Sequence, residues 1–175
     1  MGSEHDKTAT ALRMAIQMEI DGKEYYLKAS QESGNELGRK LLESLAEEED
    51  LHRQQFIEIY IAISDNKTWP KAKFKPDGGK GLKTVFTQAV DKIGSKAQPV
   101  DTELEALQTA MDMENKTYDF YMARAKDATY DAEKKFYQAL AAQEKSHHQV
   151  LLDYSEYLKD PAAWFVEKER PSLEG

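Results

Sequence analysis

The chain has 175 residues, a net charge of −8, 40% hydrophobic and 32% charged residues, and no cysteine. That length suits one domain with a sizeable core, and an acidic balance argues against nucleic acid, which needs a basic face. The missing thiols exclude disulfides, thiolate catalysis, Cys-ligated zinc and iron–sulfur clusters.

With only 9 Gly and 5 Pro, a turn-dense β architecture is disfavoured. No apolar run approaches the ~18 residues of a membrane span, and no charged-then-apolar leader precedes the first helix. The expected location is therefore the cytoplasm.

Four long segments carry helical periodicity. The first is expected over about 8–31, where Leu12, Ala15, Ile16, Met18, Ile20, Tyr26 and Leu27 form an apolar stripe. Ser33-Gly34-Asn35 breaks it. The second follows to about Ser64, with Asn35 as its cap and Leu41, Leu42, Leu45, Ala46, Phe56, Ile59 and Ile63 facing inward.

A long connection from Asp65 to Asp101 contains Trp69-Pro70, Pro76 and Asp77-Gly78-Gly79, with a short helix expected over Leu82–Ile93. The third long helix is expected from Thr102, where Thr102 and Glu105 have capping-box spacing, to about Asp127. The fourth runs from about Tyr130 to Lys159 and stops before Asp160-Pro161. A tail, 160–175, carries Trp164 and Phe165 and is expected to pack on the bundle.

Two helical hairpins, 8–64 and 102–159, joined by one long crossover predict an all-α fold: a single ferritin-like four-helix bundle with a short helix in the crossover.

The two hairpins repeat each other without a gap at a spacing of 95 residues. Ala15-Ile16-Gln17-Met18-Glu19 matches Ala110-Met111-Asp112-Met113-Glu114, and Tyr25-Tyr26 matches Phe120-Tyr121. Leu45-Ala46-Glu47-Glu48-Glu49-Asp50-Leu51-His52 matches Leu140-Ala141-Ala142-Gln143-Glu144-Lys145-Ser146-His147. A repeat of this length is a duplicated hairpin rather than a short solenoid unit.

Glu19 and Glu49 are equidistant from the turn at Gly34, and Glu114 and Glu144 from Thr129. Each Glu then lies roughly 22 Å from its bend at 1.5 Å per residue, so the four are expected in one layer. Glu49-x-x-His52 and Glu144-x-x-His147 put carboxylate and imidazole on one helical face.

One Glu from each of two helices and Glu-x-x-His from the other two is the ligand set of di-iron and di-manganese carboxylate bundles. Carboxylate with imidazole suits Fe, Mn or Zn. A single Glu-x-x-His is usually a solvated face, but here two of only four His carry it at equivalent repeat positions.

At these residues the chain resembles the rubrerythrin-like branch of the ferritin-like superfamily. The resemblance covers both hairpins and extends to Asp160-Pro161-x-x-Trp164-Phe165, which looks like the ending of small relatives without other domains. It implies two iron ions held by Glu19, Glu49, His52, Glu114, Glu144 and His147, with Glu49 and Glu144 bridging. It also implies reduction of peroxide or dioxygen.

Two departures matter. Rubrerythrins proper carry a Cys-ligated rubredoxin domain, so this chain would need an external donor such as a rubredoxin or ferredoxin. They also place a seventh carboxylate, tied to peroxide reduction, where Thr117 stands here, with Gly22 as its repeat mate. The alternative is a non-enzymatic metal-binding or storage protein using the same site.

Tyr26 and Tyr121 each follow a ligand Glu by two helical turns. They are expected either to hydrogen-bond a carboxylate, to act as redox-active phenols, or to fill the core. His148, Glu47 and Glu48 are expected to face water, His5 to precede the ordered chain, and Met14, Met18, Met111, Met113 and Met122 to fill core space. Lys67, Lys71, Lys73, Lys75, Lys80 and Lys83 make the crossover basic, so it either docks an acidic donor or is a solvated loop. A homodimer is the default expectation.

Overall fold

The computed structural model describes residues 3–66, 68–71, 76–97 and 101–169. Among the described residues six α-helices run in order: α1 Glu4–Glu32, α2 Glu36–Asn66, α3 Lys80–Ile93, α4 Asp101–Lys126, α5 Asp131–Lys159 and α6 Pro161–Glu169. A 3-10 turn at Gly94–Lys96 follows α3, and no strand occurs among the described residues.

The hairpins α1–α2 and α4–α5 are the main packing units, and α3 lies against α2 and α5. This is the ferritin-like bundle with a helix inside its crossover.

The helix ends follow from local chemistry. Helix α1 begins four residues earlier than periodicity suggests, because Ser3 and Asp6 form a reciprocal cap. His5 therefore lies inside α1, half-buried, with Nε2 3.0 Å from the Ile63 carbonyl oxygen. Asn35 caps α2 by accepting from the Gly38 amide at 2.7 Å. Thr102 falls within the first turn of α4 and is not its cap. At α5, the Glu133 carboxylate accepts from the Thr129 and Tyr130 amides.

The expected tail is a further helix as far as Glu169. Its Trp164 packs edge-on against Phe86 of α3 and Tyr157 of α5. Among the crossover lysines, Lys71, Lys80 and Lys83 are exposed, whereas Lys67, Lys73 and Lys75 lie outside the described residues.

The predicted apolar face of α2 is buried throughout. On α1 the buried stripe is narrower than expected: Leu12, Ala15 and Tyr26 are enclosed, whereas Leu27 lies on the outer flank. Met14 and Met122 are also exposed and fill no core space.

The core is split in two. One cluster gathers Leu37, Leu41, Leu45, Phe86, Leu107 and Leu151, and the other gathers Leu12, Ala15, Phe56, Ile63, Phe136 and Leu140. Along each of the four long helices, a short interval separates residues of one cluster from those of the other. Glu19, Glu49, His52, Glu114, Glu144 and His147 occupy those intervals.

Candidate metal centre

All six of these residues are buried, none more than 4% exposed. They converge as two overlapping groups: Glu19, Glu49, His52 and Glu144, and Glu49, Glu114, Glu144 and His147. Within each group one ligand atom per residue lies within 4.8 Å of the others. Glu49 and Glu144 belong to both groups, and each hairpin supplies one unshared Glu and one His.

The imidazoles enter with the same nitrogen. Nδ1 of His52 lies 3.4 Å from Glu19 Oε2 and 3.2 Å from Glu144 Oε1. Nδ1 of His147 lies 3.1 Å from Glu49 Oε1, 3.5 Å from Glu114 Oε1 and 3.4 Å from Glu144 Oε2. Glu144 thus turns one oxygen to each histidine. The two rings are nearly parallel, 6° apart in plane, with centroids separated by 5.7 Å.

Four carboxylates at this depth conflict electrostatically. Burial, reinforced by Glu19 and Glu114, pushes Glu49 well above the ordinary carboxylate range. Burial and the Glu144 charge raise Glu114 to about 8. For Glu144, burial and Glu49 also push upward, but nearby Glu114, His147 and His52 outweigh them and leave it lowered. Burial alone would lower both histidines, yet Glu19 and Glu144 raise His52, and Glu114, Glu144 and Glu48 raise His147.

A cation would relieve this conflict. Glu19 Oε2, Glu114 Oε2 and both Glu144 oxygens are buried without a hydrogen-bond partner among the described residues. Four carboxylates and two imidazole nitrogens with oxygens to spare match the donor chemistry of Fe, Mn or Zn.

The phenols tie the two halves together. The Tyr26 hydroxyl donates to Glu114 and the Tyr121 hydroxyl to Glu19, so each half holds the other's unshared carboxylate. The partner is not the Glu on the tyrosine's own helix, which lies two turns away. Burial and the neighbouring carboxylates push both phenols upward, so they keep their protons and remain donors.

Thr117 contributes nothing to the cluster, because its hydroxyl donates to the Met113 carbonyl at 3.0 Å. At Gly22 a Cβ would lie 3.3 Å from Glu49 Oε2, so the shared carboxylate uses the space this glycine leaves. His148 is half-buried rather than fully exposed and joins neither group.

Glu47 faces water as expected, but Glu48 does not. Its side chain is 19% exposed, and its Oε2 accepts from His147 Nε2 at 2.7 Å. A signal existed in the repeat. Glu47, Asp50 and Leu51 are matched by the dissimilar Ala142, Lys145 and Ser146, whereas Glu48 is matched by the hydrogen-bonding Gln143.

Comparison with curated proteins gives no match, and neither does comparison with solved structures. A family model described as Rubrerythrin matches residues 10–155, which span both hairpins and every side chain of the cluster. The chain belongs to the rubrerythrin family.

Proposed function

We propose that the chain is a non-haem di-iron oxidoreductase that reduces peroxide or dioxygen with electrons from an external donor. The observation that carries this reading is the pair of carboxylate–histidine groups sharing Glu49 and Glu144.

Glu49 and Glu144 would bridge the ions. Glu19 with His52 and Glu114 with His147 would complete them, each histidine through Nδ1. When bound, the irons supply the two electrons that an O–O bond needs to break. The protein supplies the geometry and the dry surroundings. Tyr26 and Tyr121 hold the unshared carboxylates in place as hydrogen-bond donors. The two apolar clusters above and below exclude bulk water from the layer.

With no cysteine to carry its own relay, the chain would take electrons from a rubredoxin or ferredoxin. Reduction of hydrogen peroxide then uses two electrons and two protons and yields two waters.

Thr117, standing where a further carboxylate is expected, favours a second reading, in which the site handles or stores metal without turnover. One experiment separates them. Protein loaded anaerobically with ferrous iron is mixed with peroxide in a stopped-flow instrument, with a reduced donor present. Rapid oxidation followed by repeated turnover supports the oxidoreductase. Two bound ions without turnover support metal handling, and failure to bind two ions removes both readings.

A further inference from the structure

The two halves of the site are related by the repeat but are not chemically equal outside the six converging side chains. His147 presents Nδ1 to Glu49, Glu114 and Glu144, and Nε2 to Glu48 of the opposite hairpin at 2.7 Å. The Gln143 amide donates to the same Glu48 oxygen at 3.3 Å and helps to fix it. Gln143 is itself the repeat mate of Glu48. A carboxylate therefore stands at this position in one half and a neutral amide in the other.

We propose that Glu48 is a positioning residue that locks His147 with Nδ1 toward the carboxylates and strengthens the His147–Glu114 half of the site for a divalent cation. The proposal rests on the di-metal reading above.

A neutral imidazole has one N–H. When that proton is on Nε2 and donated to Glu48, the lone pair belongs to Nδ1, the nitrogen that faces the cluster. The charge on Glu48 also raises the electron density that Nδ1 offers. Glu48 is only partly enclosed and lies outside both converging groups. Its replacement therefore leaves the bundle intact.

The test is titration of the metal-free full chain with Co(II), followed by calorimetry and visible absorption. The unaltered protein is expected to bind two ions. Glu48→Ala is expected to weaken one of them about 10–100-fold and leave the other within about 3-fold. Glu48→Gln falls between, because its amide oxygen still accepts from Nε2–H but brings no charge.

In a His147→Ala background, Glu48→Ala is expected to have no further effect, since the two residues act as one unit. Unchanged isotherms for Glu48→Ala overturn the proposal. So does equal weakening of both ions, or additive losses in the double variant. If the unaltered chain takes up no Co(II), the di-metal reading itself has failed.

Discussion

The Tyr121 hydroxyl donates to the Glu19 carboxylate across 102 residues of sequence, and Tyr26 returns the same bond to Glu114. The duplicated halves are thereby cross-linked at the level of the carboxylate layer. Removing one hydroxyl strands a buried carboxylate oxygen. Tyr121→Phe is expected to lower the stability of the metal-free protein by about 1–3 kcal/mol, the usual cost of an unsatisfied buried acceptor. Urea unfolding of the two proteins side by side measures it, and the unfolding slope should stay constant because the fold is unchanged.

The shared and unshared carboxylates should be separable by stoichiometry. Glu144 belongs to both converging groups and turns one oxygen to each histidine, whereas Glu114 belongs to one group. Glu144→Gln is expected to weaken both ions, and Glu114→Gln only one. Metal content per chain after anaerobic loading and desalting should order the proteins as unaltered, then Glu114→Gln, then Glu144→Gln. An equal effect of the two substitutions would remove the distinction between bridging and terminal roles.

The metal-free protein should lose stability as pH rises. Glu114 titrates at about 8 in the folded chain against an ordinary 4.5, and Glu49 shifts in the same direction. The folded state thus holds protons that the unfolded chain has released. That contribution is complete below the ordinary carboxylate value and disappears as pH climbs through about 8.

His52 and His147 are raised as well, which carries the loss further upward. Glu144, being lowered, acts in the opposite direction but stands alone within the cluster. Melting should therefore fall by about 5 °C or more between pH 5 and pH 8 without metal. With metal bound the trend should reverse, because ligands must be deprotonated to bind. Calorimetric scans of both forms across this range check the sign.

The legible part of this protein was whatever repeats. Helical periodicity placed the four long helices, and the 95-residue spacing placed Glu19 with Glu114 and His52 with His147, because ligand height depends only on counting residues from a turn. Contacts that depend on side-chain reach were not legible. The phenols bond across the halves rather than along their own helices, and Glu48 turns inward beside an outward Glu47. Periodicity gives a residue's angle around its helix but not which neighbour a long side chain reaches. The early start of α1 was missed because a cap made by Ser3 lies ahead of the apolar stripe.

A second polar cluster, away from the carboxylate layer, is fixed by a glycine. The Glu103 carboxylate of α4 accepts from Tyr154 of α5 at 2.5 Å and from Ser33 in the α1–α2 turn at 2.6 Å, while Asn35 donates to Tyr154 at 2.9 Å. Glu103 is 7% exposed and Tyr154 fully buried, so these bonds satisfy groups that would otherwise be stranded. Gly38, in the first turn of α2, lets the three side chains meet: a Cβ there would collide with Ser33 Oγ, Tyr154 Oη and Glu103 Oε1 together.

Replacing a helical glycine by alanine normally stabilises by about 0.5–1 kcal/mol. At Gly22 most of that gain should be offset, because a Cβ there lies 3.3 Å from Oε2 of the buried Glu49 carboxylate, which must shift by a few tenths of an ångström. At Gly38 the sign should reverse. Gly38→Ala must break a buried network anchored on three elements, and a loss of about 2–4 kcal/mol is expected from the unsatisfied groups it leaves. Denaturant unfolding of Gly22→Ala and Gly38→Ala decides it, and a Gly38→Ala protein as stable as the parent would show that the cluster does not hold the hairpins together.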